Sequence, residues 1–140
     1  MSGKVVRIYR GVVLIAEDDP LLREILEAIL KKRFKGISVI HAGDGDEALD
    51  IIYNEPPSLL ILNMVMPRKR GDEVLRNLSK SEMRLPILVI SGYFKSKGQV
   101  AAAAQVSEEF FEFMNKPFPT GEFLSKVEAL LLRRCGGKPY

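Results

Sequence analysis

Three acids stand together at Glu17, Asp18 and Asp19, directly after the apolar run VVLIA. Elsewhere single polar residues end or follow apolar runs: Asn63 after LLIL, Ser91 in ILVISG, Lys116 after FFEFMN. Clustered carboxylates suit a hard cation such as magnesium, which prefers oxygen ligands and usually retains water. With one cysteine, Cys135, and one histidine, His41, there is no Cys/His set for zinc. Any metal would therefore be held by oxygen, which favours magnesium, calcium or manganese. The polar residues lie far apart in sequence, so their chemistry depends on a fold that gathers them.

The elements that must do so alternate. Strand-like apolar runs are VVLIA (12–16), ISVIHA (37–42), LLIL (59–62), PILVISG (86–92) and FFEFMN (110–115). Helix-length segments separate them. From Leu21, apolar residues fall at 21, 22, 25, 26, 29, 30 and 34, a helical stripe. Asp19 is a good N-cap, Pro20 suits the first helical position and Gly36 suits the stop. DGDEALDIIY predicts a second helix ending before Pro56-Pro57, GDEVLRNLSK a third, QVAAAAQV a weaker fourth and GEFLSKVEALLLRR a fifth. LLIL is apolar throughout rather than alternating, as a central parallel strand covered on both faces must be. Strands joined by helix-length crossovers imply a parallel sheet. Five units predict an α/β, flavodoxin-like (βα)5 doubly wound five-stranded domain. It would occupy residues 12–134, with 1–11 as an N-terminal extension or edge and 135–140 as a tail.

At 140 residues, 46% hydrophobic and 28% charged, the chain reads as one ordinary soluble domain. No segment approaches a membrane span, and the N-terminus lacks the apolar run of a signal peptide, so a cytoplasmic protein without membrane contact is expected. The net charge of +3 gathers in KKRFK (31–35), RKR (68–70) and RRCGGK (133–138). Without interleaved aromatics or a nucleic-acid-binding signature these clusters read as solvated faces and helix C-termini, and no nucleic-acid partner is expected.

In an open parallel sheet the crevice lies beyond the carboxyl ends of the strands. There Glu17, Asp18, Asp19, Asn63, Ser91 and Lys116 converge: acids, an amide, a hydroxyl and an ammonium. With VLIAEDDP, LLILNMVMPRKRG, ILVISG and MNKPF in this order, the chain resembles the receiver domain of two-component response regulators from about Val12 to Leu132. No one segment is specific; the four in order are. The resemblance implies magnesium held by Glu17, Asp18 and the backbone carbonyl of Val65, with Asp19 left as helix cap. It places Lys116 and Ser91 at the phosphoryl pocket, Phe113 at the aromatic switch, and Pro117 after a peptide bond that is often cis.

It also implies an aspartate at position 63, where this chain has Asn63. A carboxylate oxygen is a nucleophile for phosphoryl groups, whereas an amide oxygen is far poorer and uncharged. Phosphorylation at residue 63 should fail. Loss of the third acid also removes an anionic ligand, so magnesium binding should weaken without vanishing. The letter fits a natural pseudo-receiver or a receiver whose phosphoacceptor was replaced by engineering. The expected function is a stand-alone, non-enzymatic signalling module that docks to a sensor histidine kinase, a phosphotransfer protein or another signalling partner. Its surface of contact would be the fourth and fifth units. The alternative is a magnesium-dependent phosphoryl-transfer enzyme on a similar fold. Glu17 and Asp19 have the separation of a dehalogenase-type acid pair, but Pro20-Leu21 departs from the Asp-x-Asp-x-Thr pattern. Flavin or nucleotide binding would need a phosphate-accepting loop after the first strand, where acids repel phosphate.

Overall fold

The structure, a computed structural model, describes residues 9–136. The strands are β1 (Gly11–Ala16), β2 (Ile37–Ala42), β3 (Leu59–Asn63), β4 (Ile87–Ser91) and β5 (Glu112–Asn115). Alternating with them are α1 (Pro20–Arg33), α2 (Gly45–Asn54), α3 (Gly71–Lys80), α4 (Lys97–Ala104) and α5 (Thr120–Gly136). All strand pairs are parallel, in the order β2-β1-β3-β4-β5. This is the α/β flavodoxin-like arrangement that the alternation predicts. Most of the expected N-terminal extension (1–8) and of the tail (137–140) falls outside the described residues. Within the former, Tyr9 is buried, its ring edge-on to Phe34.

Side chains alternate across the sheet into two cores. Leu14, Ala16, Leu60, Leu62 and Val89 pack under α2, α3 and α4. Val13, Ile15, Leu59, Ile61, Leu88 and Ile90 pack under α1 and α5. Every residue of β3 is buried, and its apolar run LLIL (59–62) is what a strand with helices on both faces requires. At the edge, β2 alternates instead.

Local rules set several boundaries. The Asp19 carboxylate accepts the Leu21 N–H at 3.0 Å, and Pro20 opens α1. The α1 stripe is wider than its buried face: Leu26 and Leu30 are covered, while Leu21 and Ile25 are exposed. α4 starts two residues before QVAAAAQV because the Ser96 hydroxyl caps it by accepting the Gln99 N–H. It stops at Gln105, a left-handed residue at φ 60°. β5 is shorter than FFEFMN predicts. Ser107 caps a 3-10 turn over Glu108–Phe110 by accepting the Glu109 N–H, which takes Phe110 out of the strand.

Candidate functional site

β1, β3 and β5 deliver their last polar residues to one place. Asn63 closes β3 and is 7% exposed, Glu17 follows β1 at 2%, and Lys116 follows β5 with its ammonium reaching inward. The Asn63 side-chain nitrogen donates to the Val65 carbonyl at 2.9 Å and to Glu17 Oε2 at 3.2 Å. Asp18 Oδ1 stands 3.5 Å away as a third, longer acceptor. The Asn63 oxygen accepts from Lys116 Nζ at 3.3 Å, and the same ammonium donates to Glu17 Oε1 at 3.2 Å. Only one orientation of the amide satisfies these neighbours. Lysine can only donate and the carboxylates and carbonyl can only accept, so a flipped amide would oppose like to like on both sides.

Electrostatics follow from burial. Removal from water pushes the Glu17 carboxyl above the ordinary glutamate range; the Asp19 N–H and the Lys116 charge pull it partly back. Asp18 is exposed, and Asp19 is occupied as the helix cap.

Glu17, Asp18, Asn63, Val65 and Lys116 are thus brought together. Ser91, 1% exposed at the end of β4, stands beside them but spends its hydroxyl on the loop before α4, accepting from Tyr93 N at 3.1 Å and Phe94 N at 2.9 Å. The Ser91 carbonyl accepts the Lys116 N–H at 2.8 Å, which ties the two strand ends. Phe113 is half-buried on β5 and packs against the α2–α4 core. The Lys116–Pro117 peptide is cis.

Whether magnesium fits is decided by the donor set. Two carboxylates and a carbonyl are hard oxygens of the right kind. Among the described residues no third His, Cys, Asp or Glu joins them. The amide nitrogen of Asn63 is aimed at the same oxygens, and an N–H donor cannot ligate a cation. The set does not fit magnesium until that amide withdraws.

A neighbouring feature escaped the sequence. Asp44, buried at the N-cap of α2, accepts the Glu47 N–H at 2.9 Å. It also accepts from Arg68 through Nε at 2.8 Å and through Nη2. Those contacts hold its carboxyl below the usual aspartate range. Lys69 faces Asp46 at 3.7 Å and Arg70 faces Asp72 at 3.2 Å. The RKR loop is therefore paired with carboxylates, where a merely solvated loop was expected. Two glycines let it lie so close: a Cβ on Gly45 would come 2.1 Å from the Lys69 carbonyl oxygen, and one on Gly71 2.7 Å from Met64 Cα. The signal for Asp44 was present as an acid three residues before Glu47, the spacing of a capping box.

Residues 13–128 match the family model described as the response regulator receiver domain. The response regulator MprA of Mycobacterium sp. (strain KMS) is 38% identical over 121 residues, 86% of this chain and 50% of that protein. The MprA of Mycobacterium avium (strain 104) is equally similar, over 51% of its length. The chain thus spans about half the length of the curated relatives it matches. A putative response regulator from Chloroflexus aurantiacus J-10-fl superposes with a TM-score of 0.75 at 27% identity, covering 89% of this chain and 99% of that one. The receiver domain of the Francisella response regulator 1452 shares the fold, with a TM-score of 0.76 at 24% identity over 89% of this chain and 98% of that one.

Proposed function

The chain belongs to the response regulator receiver domain family, and from that premise we propose that it works as a docking module whose phosphoacceptor position is silenced at Asn63. The observation that carries this reading is the amide itself. It ends the central strand, beside Glu17, Asp18 and Lys116, where a receiver needs a nucleophilic carboxylate. A neutral amide oxygen already accepting from an ammonium is a poor attacking group, and positioning alone does not compensate for it.

Glu17, Asp18 and the Val65 carbonyl remain as a weakened magnesium set, open to the ion only when the Asn63 amide turns away from them. Lys116, Ser91 and Phe113 hold the phosphoryl-pocket and switch positions, with Ser91 engaged by its own loop. The partners proposed are a sensor histidine kinase, a phosphotransfer protein or another signalling protein, met in the cytoplasm without enzymatic turnover. Among the described residues no helix is long and apolar enough to cross a membrane. The fourth and fifth units supply the docking surface in this reading, where Tyr93 stands 70% exposed beside the small side chains of α4.

The test is recovery from cell extract with the chain as bait. A histidine kinase or phosphotransfer protein identified by mass spectrometry supports the reading. Recovery of no signalling protein overturns the docking role.

A further inference from the structure

We propose that the Asn63 carboxamide is a built-in substitute for the divalent cation, so that the pocket is held together without metal and resists one. This rests on the reading of residue 63 given above and concerns what the amide does beyond failing to accept phosphate.

The amide matches a cation in both position and sign. The oxygens available to a cation are those of Glu17, Asp18 and the Val65 carbonyl, and all three point at a single nitrogen, at 3.2, 3.5 and 2.9 Å. An amide NH2 carries partial positive charge on two hydrogens and takes the same acceptors that a hard ion would take. On its other side the amide oxygen accepts from Lys116. The dipole therefore lies along the local field, positive end toward the acids and negative end toward the ammonium. Burial strengthens the bond to Glu17 and raises the cost of breaking it, because that carboxylate, once released by the amide, must find another donor out of water. Glu17 is 2% exposed and depends on this donor, Lys116 and the Asp19 N–H. A metal ion must displace the amide before it can be ligated.

This differs from mere loss of a ligand. If Asn63 only failed to supply a carboxylate, shortening it to alanine would leave magnesium affinity equal or lower. If the amide competes for the ligands, Asn63→Ala should bind magnesium more tightly than the unaltered chain, although it adds no acid.

The experiment is calorimetric titration of the purified chain, Asn63→Ala and Asn63→Asp with magnesium, beside thermal melts with and without the ion. The expected order of affinity is Asp, then Ala, then the unaltered chain, the last step being about tenfold, the equivalent of one charge-assisted hydrogen bond. The unaltered chain should melt at the same temperature with and without magnesium, and Asn63→Ala should become magnesium-dependent. An alanine variant that binds no better than the unaltered chain overturns the proposal. Neither protein carries a carboxylate at position 63, so this outcome is independent of the phosphorylation question. If Asn63→Ala does not fold, the side-chain amide resonances of Asn63, identified by their absence from Asn63→Asp, decide instead. They should stay in place at the magnesium concentration that half-saturates Asn63→Asp, and displacement there overturns the proposal.

Discussion

Two buried acids near the same edge of the sheet are handled in opposite ways. Asp44 meets a guanidinium and a helix N–H and is held in its charged form. Glu17 shares one ammonium with Asn63 and is pushed toward its neutral form. The first is a closed ion pair that fixes the loop between β3 and α3. The second belongs to a pocket with two carboxylates for one lysine, completed by a neutral amide. The pocket leaves its charges incompletely matched and fills in with a neutral amide, whereas the clamp matches them. That contrast separates two acids of similar burial.

The clamp should break most severely at Gly45. Alanine there meets the Lys69 carbonyl oxygen at 2.1 Å, so either the loop or the start of α2 must move. A loss of about 3 kcal/mol, at the upper end of overpacking costs, is expected by urea unfolding. In the pocket, Lys116→Met removes the ammonium from Glu17 and from the Asn63 oxygen, costing about 2 kcal/mol at neutral pH. That deficit should narrow as pH falls, because Glu17 then takes a proton and no longer needs the charge.

Asp44→Ala should cost about 1–2 kcal/mol through the lost helix cap. Its pH dependence runs the other way from that of Glu17. A carboxyl held low contributes stability above its unfolded pKa, and that contribution is lost as pH falls through its lower folded value. The gap between Asp44→Ala and the unaltered chain should close in strong acid. A raised carboxyl such as Glu17 instead loses stability as pH rises from the ordinary glutamate range through its folded value. Melts across the acid range in Asp44→Ala and Glu17→Gln, each against the unaltered chain, would show whether the signs differ: the Asp44→Ala deficit should close as pH falls, and any Glu17→Gln deficit should shrink as pH rises. Ser91→Ala is the mildest of the set, about 1 kcal/mol, because it frees two loop N–H groups at Tyr93 and Phe94 that lie near solvent. A larger loss would mean that the hydroxyl supports the pocket as well as the loop.

Much of this was legible in the chain. Local chemistry announces itself: the Asp19-Pro20 start of α1, the apolar LLIL run of β3 and the bounds of α3 follow from capping, burial and periodicity. The convergence of Glu17, Asp18, Asn63 and Lys116 follows from the crevice rule for parallel sheets. What escaped depends on contacts across the fold. The RKR triplet reads as loose charge because Asp44 and Asp46 lie more than twenty residues earlier, and Arg68 takes φ 65° without a glycine to signal it. The 3-10 turn that removes Phe110 from β5 hides under aromatic residues that favour strands. The exposed Leu21 and Ile25 belong to the same stripe as the buried Leu26 and Leu30, and only the packed sheet decides which face is covered. The orientation of the Asn63 amide is set by Lys116, fifty-three residues away.

The central claim is that a receiver pocket has been silenced at one side chain. Intact mass after incubation with magnesium and a small phosphodonor tests it on this chain and Asn63→Asp side by side. A phosphoryl mass on the aspartate variant alone is the predicted result. A gain on the unaltered chain, or on neither protein, would contradict it.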